Sequence, residues 1–402
     1  MTTSTFFFLA TTGLILRIIF SFLIPDFTGN DELAHLRYAQ HIAAEKILPN
    51  LNNYKDEQVA GNEYFQPPVY YFLGSMFILT TENAASQLHI LRMLSIFLWA
   101  VSFYFSYKIL RILKLPSWLC ASALAFSALL PTYVVNSSTV TNDALSVPLT
   151  IATIYYLLII LNKEVRYSQI LILSALSGIT ILTKLNGFIL IPAIITAVYS
   201  TKNKNFQIFF FKSILFLGII FLITIWWFAY NKQVYGDLMG PIDASTATFA
   251  KIQFSLQKIY LLSRGTFATF WVAYGPANEI RLPAFVYGIL FLFSSLSIVG
   301  NIIYARKISK RKIKLSLDGK IIKILGIALA SNLGLHLAFN INHHQPLGRY
   351  LFLSLIQIAL IFSFGIGNLL TIKTRNYLPY FLIGIFFFLN IWGVLTTINV
   401  YK

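Results

Sequence analysis

Acidic and basic side chains follow the first apolar stretch of the chain. Asp31, Glu32 and His35 fall within five residues of one another. A carboxylate in such a group can act as a general base, while the other side chains orient a substrate. Asn30 or Asp31 is also a good cap for a helix predicted over 32–46, so helix capping is the alternative explanation.

Further polar side chains lie where other apolar stretches end. They are Gln66, Tyr70, Arg92, Asp143, Lys184, Arg349 and Tyr350. Each has a simple structural explanation, because long cations extend toward the membrane interface, aspartates cap helices and tyrosines anchor at the membrane surface. Arginine and lysine are also the side chains that bind phosphate. The joint pattern indicates one polar site built from several loops.

The composition of the chain is that of a polytopic membrane protein. Of its 402 residues, 57% are hydrophobic and 11% are charged. Soluble domains have roughly 45–50% apolar and about 25% charged residues. This excludes a soluble enzyme, a coiled coil and a disordered chain. The single cysteine, Cys120, excludes a disulfide framework.

Apolar stretches predict an all-α bundle of about eleven transmembrane spans. They cover residues 4–24, 88–110, 116–134, 144–161, 168–183, 187–200, 206–230, 283–305, 321–340, 349–370 and 377–397. The two short spans that flank Lys184 could form a broken or tilted pair. Residues 67–80 are too short to span and are interpreted as an interfacial or re-entrant helix. Two long outer loops, 25–87 and 231–282, are each expected to contain an interfacial helix.

The basic excess of the chain predicts its orientation. The net charge is +17. With residues 67–80 kept out of the span count, most lysines and arginines fall on cytoplasmic connections, and nearly all acids fall on the outer face. We therefore expect a multi-pass protein of the cell inner membrane, with a cytoplasmic N-terminus and an outward-facing site. The charge is an orientation signal and an attraction to anionic lipid, and we expect no nucleic-acid partner.

Cofactor motifs are absent from the sequence. No nucleotide-binding loop, nucleophile elbow or HExxH pattern occurs. The adjacent His343 and His344 point apart more easily than they chelate, so we predict no metal ligands. A divalent cation at Asp31 or Glu32 remains an open alternative.

Taken in order, these motifs resemble the membrane-embedded C-type glycosyltransferases. The similarity is to the bacterial branch related to protein O-mannosyltransferases and the lipid A aminoarabinose transferase. The matching residues are Asp31-Glu32 with His35, Gln66 through Tyr71, Asn142-Asp143, Leu182 through Gly187, Asn231 with Tyr235 through Asp237, Phe270-Trp271, and Gly348 through Leu351. They extend over nearly the whole chain.

The resemblance implies an inverting transfer of a sugar from a polyprenyl-phosphate donor on the non-cytoplasmic face. Asp31 would be the general base, with Glu32 as a second catalytic carboxylate. The resemblance implies that Arg349, Lys184 and Arg92 bind the donor phosphate. Substrate-orienting residues would be His35, Gln66, Tyr70, Asp143 and Tyr350.

The chain departs from many relatives in ending at Lys402, soon after the last predicted span. We therefore expect one domain over 1–402, without a soluble C-terminal domain, and a lipid-linked, glycan or protein acceptor. Two other functions remain open: a transporter or flippase of lipid-linked glycans, and a non-catalytic partner in polysaccharide assembly. The enzymatic interpretation requires Asp31, Lys184 and Arg349 to converge on one cavity.

Overall fold

A computed structural model describes residues 2–50, 63–161, 164–200, 205–240, 255–275, 278–310 and 318–402, with the side chains of 342 and 343 excepted. The helices are α1 Thr3–Leu23, α2 Glu32–Glu45, α3 Val69–Ile78, α4 Ala84–Ile112, α5 Ser117–Leu129, α6 Pro131–Asn136, α7 Asp143–Ile160, α8 Tyr167–Ile181, α9 Leu190–Tyr199, α10 Phe206–Tyr235, α11 Leu256–Trp271, α12 Ala284–Ser309, α13 Gly319–His343, α14 Leu355–Leu369, α15 Ile372–Arg375 and α16 Leu378–Val400.

The predicted all-α membrane bundle is confirmed. Within the described ranges, eight helices are long and apolar enough to cross a membrane. All eleven predicted spans coincide with helical segments, but 116–134, 168–183 and 187–200 correspond to shorter or broken helices. The number of membrane crossings therefore stays a prediction.

Proline and polar residues explain the breaks in the short helices. Leu130 has a non-helical ψ of 118°, because the residue before a proline is disfavoured in the helical conformation. The chain therefore turns between α5 and α6. Lys184 has extended backbone between α8 and a 3₁₀ helix, Leu185–Ile189. The predicted broken pair of helices around Lys184 is thus present. Lys184 itself lies at the break, outside any regular helix.

The interior of the bundle is formed mainly by α5, α7 and α14. Every residue from Leu119 to Leu129 is buried, and two-thirds of the most apolar stretch of α7 is buried. The α10 and α12 helices instead turn most of their apolar surface outward. Gly300 of α12 lies against Gly365 of α14 so closely that a Cβ there would be 1.9 Å from the Gly365 carbonyl oxygen.

Helices lie in both of the long loops that are predicted on the outer face, as expected. In the first loop are α2 and α3, and α3 has ten residues. Its length of about 15 Å is half the thickness of a bilayer core, which favours the interfacial or re-entrant interpretation. The fourth outer loop contains α11, followed by an antiparallel pair of two-residue strands, β1 Ala273–Tyr274 and β2 Ile280–Arg281. Residues 241–254 of this loop lie outside the described ranges.

Candidate active site

Asp31 and Arg349 form an ion pair between the first outer loop and the loop before α14. Arg349 Nη2 donates to Asp31 Oδ2 at 2.7 Å. Asp31 occupies the N-cap position of α2 with φ of 58°, in the left-handed region, and its side chain makes no capping hydrogen bond. Asp and Asn tolerate this conformation better than most residues. The carboxylate therefore faces Arg349 instead of the helix end.

A close backbone approach holds Arg349 in place. It belongs to the 3₁₀ helix Gly348–Ser354. The Gly348 amide donates to Thr269 Oγ1 at 2.7 Å, and a Cβ on Gly348 would lie 2.3 Å from the Phe270 amide nitrogen. Only glycine fits here, so the C-terminal end of α11 fixes the position of Arg349.

Lys184 brings a second cation to the same site. Its Nζ lies 2.5 Å from Asp143 Oδ1, and the Asp143 side chain is fully buried at the start of α7. The Tyr350 ring lies near both cations: its centroid is 5.3 Å from Lys184 Nζ and 5.9 Å from Arg349 Cζ. Asp143 Oδ2 has no hydrogen-bond partner. The two cations, their two carboxylates and Tyr350 thus lie close to one another.

Glu32 and Arg92 pair in the interior of the protein. Arg92 Nε and Nη2 donate to the two Glu32 carboxylate oxygens at 2.9 and 2.7 Å. The Val140 amide donates to the same carboxylate at 2.9 Å. Neither side chain has exposed surface. Arg92 also donates to the carbonyls of Ser21, Ile24 and Pro25. The Arg92 donors that were expected to bind phosphate are therefore used within the protein. They connect α1, α2 and α4.

An aromatic stack adjoins His35, whose amide donates to the Asp31 carbonyl at 3.0 Å. The His35 Nδ1 and the Tyr71 hydroxyl are 2.8 Å apart. The Tyr71 ring stacks on Tyr38 with centroids 3.8 Å apart, and the buried Tyr70 meets the His35 ring edge-on. The Tyr38 hydroxyl donates to the Gln66 carbonyl at 3.2 Å. These aromatic residues form one packed group, and the sequence analysis missed Tyr71 as the histidine's partner.

Glu63 is a further acid that the sequence analysis missed. It interacts electrostatically with Asp31, Arg349 and Lys184 and hydrogen-bonds to the side chain of Gln66. Burial, followed by the negative charge of Asp31, raises the pKa of Glu63 to about 8. The only sequence signal is its place three residues before Gln66, inside a motif that was already recognised. The site thus favours the protonated form of Glu63 near the ionised Asp31.

Burial and neighbouring charges determine the protonation states of Asp31 and His35. Burial acts to raise the pKa of Asp31, but Arg349 and Lys184 outweigh it and hold that pKa below its usual value. Burial lowers the pKa of His35 to about 3, so its imidazole is neutral at physiological pH. The site therefore combines an ionised carboxylate, a neutral imidazole and two cations.

The acids and the histidine of the site have partners within the protein. Asp31 is paired with Arg349, Glu32 is enclosed by Arg92 and Val140, and His35 bonds to Tyr71. Within the described part of the chain, no group of three or more His, Cys, Asp or Glu side chains could hold a metal ion. The His343 side chain lies outside the described residues.

One family of known enzymes matches part of the sequence. Residues 66–228 match the dolichyl-phosphate-mannose-protein mannosyltransferase family. This stretch is less than half of the chain and includes Asp143 and Lys184, but neither Asp31 nor Arg349. None of the curated proteins matches the chain by sequence.

The solved structures that share the fold include the following three. ArnT from Cupriavidus metallidurans, bound to undecaprenyl phosphate, is 15% identical, with a TM-score of 0.54 over 92% of this chain and 61% of that one. The Archaeoglobus fulgidus oligosaccharyltransferase, in complex with Zn and sulfate, is 13% identical, with a TM-score of 0.54 over 97% and 53%. The arabinosyltransferase EmbB from Mycobacterium smegmatis is 10% identical, with a TM-score of 0.54 over 93% and 31%.

This chain covers less than two thirds of each of these structures. At such low identity the likeness establishes the fold, and it agrees with the family match over residues 66–228. The resemblance drawn from the sequence motifs is confirmed at this level. The chain is a multi-pass membrane protein with the fold of the C-type glycosyltransferases.

Proposed function

We propose that this protein is an inverting glycosyltransferase that moves a sugar from a polyprenyl-phosphate donor to an acceptor on the non-cytoplasmic face of the membrane. The observation that carries the proposal is the Asp31–Arg349 pair, 2.7 Å long, with Lys184 beside it. A carboxylate and two cations are the groups that this reaction needs. The match of residues 66–228 to a family of lipid-phosphate-dependent mannosyltransferases supports the same donor class.

Arg349 has two roles in the proposed reaction. Without substrate it neutralises Asp31, which keeps the pKa of that carboxylate low and makes it a weak base. The donor phosphate attracts the guanidinium more strongly, because phosphate carries more charge and accepts bidentate hydrogen bonds. When Arg349 turns to the phosphate, Asp31 loses its counter-ion and its pKa rises. Donor binding thus produces the base that the next step uses.

The transfer step is a single displacement. The acceptor hydroxyl gives its proton to Asp31, and its oxygen attacks the anomeric carbon from the side opposite the phosphate. The bond from that carbon to the phosphate oxygen breaks, and its electron pair leaves with the polyprenyl phosphate. Arg349 and Lys184 stabilise the charge that develops on this oxygen. The product has inverted anomeric configuration.

The other predicted residues take supporting roles in this proposal. Glu32 and Arg92 position Asp31 by anchoring the first turn of α2, because both are enclosed and fully bonded. Asp143 holds Lys184, and the Tyr350 ring packs near both cations. His35 and Tyr70 pack against each other next to Asp31, and Gln66 hydrogen-bonds to Tyr38 and Glu63, so these residues support the loop that carries the proposed base.

A transporter or a non-catalytic assembly partner would not need this arrangement. Transport sites are placed near the middle of the membrane, whereas Asp31, Lys184 and Arg349 come from loops on one predicted side. The convergence of these three residues favours chemistry at the membrane surface.

The proposal is tested by Arg349→Gln, with Arg37→Gln as the control. Arg37 is an exposed arginine on α2. With a polyprenyl-phosphate sugar that the wild type uses, we expect Arg349→Gln to lower kcat/KM by about 10²–10³-fold, the usual loss for one charge-stabilising donor. Arg37→Gln should act like the wild type. Equal activity of both variants would contradict the role of Arg349.

A further inference from the structure

An open groove lies where α8 and α10 begin. Its volume is about 400 Å³, within the size range of ligand sites in proteins. Its described lining residues are Tyr167, Phe206, Gln207, Ile208, Phe210 and Phe211. Tyr167 is the first residue of α8, and Phe206 is the first residue of α10. All but one of these side chains are aromatic or aliphatic, so the groove fits a largely apolar ligand.

The groove lies at the opposite end of both helices from the proposed active site. The far end of α8 leads to Lys184. Near the far end of α10, the Tyr230 hydroxyl donates to the Pro49 carbonyl of the first long loop at 3.3 Å. At about 1.5 Å per residue, the 15 residues of α8 and the 30 residues of α10 have lengths of about 22 and 45 Å. The groove is therefore separate from the residues that would bind the donor phosphate, and the predicted orientation places it on the cytoplasmic side.

Lys212 lies beside the groove as a buried cation that has no anionic partner among the described residues. It belongs to the second turn of α10 and is 6% exposed. Its Nζ lies 5.5 Å from the centroid of the Tyr167 ring, which lines the groove. It makes no hydrogen bond or ion pair within the described part of the chain. Because an aromatic ring replaces only part of the lost hydration of an ammonium, this position points to a missing anion.

The helix ends at the groove add to its positive potential. The N-termini of α8 and α10 both lie there, and the positive end of a helix dipole attracts anions. Arg166, directly before α8, is exposed to a ligand. Within residues 164–181 and 205–235 the one acid is Glu164, which is also exposed and forms no ion pair with Lys212. The groove therefore combines an apolar wall with an unneutralised positive charge.

From these contacts we infer that the groove binds an anionic phospholipid, with its phosphate beside Lys212 and its acyl chains against the aromatic wall of α10. In that wall the Phe206 and Phe210 rings stack with centroids 6.2 Å apart. A zwitterionic phospholipid is disfavoured, because its headgroup cation offsets the phosphate charge. Free phosphate is disfavoured because it leaves the apolar wall uncovered. The groove lies away from the proposed active site, so the inference does not depend on the proposed function.

The test is native mass spectrometry of the full chain in detergent, titrated with phosphatidylglycerol or with phosphatidylcholine. Lys212→Met removes the charge and keeps a long side chain, whereas Lys212→Arg keeps the charge. The matched control is Lys323→Met, because Lys323 lies near the start of another membrane helix, α13, but is exposed. Unfolding midpoints confirm that each variant is folded.

The wild type should bind the first molecule of phosphatidylglycerol about tenfold more tightly than phosphatidylcholine, the value of one hydrogen bond to a charged group. Lys212→Met should lose this preference, and Lys212→Arg and Lys323→Met should keep it. Inorganic phosphate should not displace the bound phosphatidylglycerol, because it makes no contact with the aromatic wall. Arg349→Gln, at the other end of the protein, should bind both lipids like the wild type.

Three results would overturn the inference. The first is a wild-type protein that binds the two lipids equally, which needs no variant to observe. The second is a Lys212→Met variant that keeps the wild-type preference, or a Lys323→Met variant that loses as much of it, since the preference would then reflect the overall basic charge. The third is displacement of phosphatidylglycerol by inorganic phosphate, which would reduce the groove to a site for a simple anion.

Discussion

Removing the charge of Asp31 and that of the adjacent Glu32 should have different effects on stability. We expect a large loss for Glu32 and little change for Asp31. Glu32→Gln removes the fully buried carboxylate that hydrogen-bonds to Arg92 and leaves it only the more distant, partly exposed Asp26 at 3.7 Å, whereas Asp31→Asn removes a carboxylate that is 44% exposed. Both changes keep the side-chain shape. Asparagine also tolerates the left-handed backbone of position 31. The backbone of α2 therefore need not move in Asp31→Asn.

The contacts set the expected magnitudes. Glu32 accepts three hydrogen bonds, two from Arg92 and one from the Val140 amide. Removing one partner of a buried pair leaves an uncompensated charge and costs about 3–5 kcal/mol. The partly exposed Asp31–Arg349 pair is screened by water and is expected to contribute about 0–1 kcal/mol. Glu32→Gln should thus lower stability by several times the effect of Asp31→Asn.

The assay is unfolding of the detergent-solubilised protein, followed by tryptophan fluorescence during a thermal ramp. Glu82→Gln, at an exposed position, is the charge-matched control. We expect the midpoint to fall by several degrees for Glu32→Gln and to stay near the wild-type value for Asp31→Asn and Glu82→Gln. Equal midpoints for Glu32→Gln and Glu82→Gln would refute the reasoning. A large loss in Asp31→Asn would also refute it.

Three further predictions follow from the site. Gly348→Ala places a Cβ 2.3 Å from the Phe270 amide, and the resulting shift of the loop should lower kcat/KM by about 10²-fold in a sugar-transfer assay. Lys184→Met leaves Asp143 buried without its cation, so unfolding should show a loss of about 3–5 kcal/mol that Asp143→Asn in the same chain largely restores, without restoring donor binding. The pKa of Glu63 is raised from its ordinary 4.5 to about 8, so the folded state binds the extra proton and its stability falls as pH rises through this window. Glu63→Gln should remove that part of the pH dependence; unfolding curves for variant and wild type that run parallel from pH 4.5 to 8 would contradict it.

Local patterns predicted most of the fold. Apolar stretches located the membrane helices, because burial in lipid requires long runs without charge. The sequence also indicated the break at Lys184 and the short helix in residues 67–80. It did not indicate that Pro131 divides the third apolar stretch, although the residue before a proline rarely stays helical.

Part of the site was also predictable, since Asp31, Lys184 and Arg349 were named from their types and from the order of the motifs. What the pattern could not decide was which of two adjacent acids faces the site. That depends on the left-handed turn at Asp31 and on the Val140 amide, which lies more than 100 residues away in the chain. The sequence suggested Arg92 as a phosphate ligand because it could not show that Arg92 pairs with the buried Glu32. That pairing depends on tertiary packing.

The central claim is that Asp31 is the base in sugar transfer from a polyprenyl phosphate. The direct measurement is release of polyprenyl phosphate, with transfer of the sugar, from a panel of polyprenyl-phosphate sugars by the reconstituted wild type and by Asp31→Asn. We predict transfer by the wild type with at least one donor, and a loss of about 10²–10⁴-fold in Asp31→Asn with an unchanged unfolding midpoint. Transfer by Asp31→Asn at the wild-type rate would remove Asp31 from the chemistry, and no transfer from any donor by the wild type would contradict the proposed function.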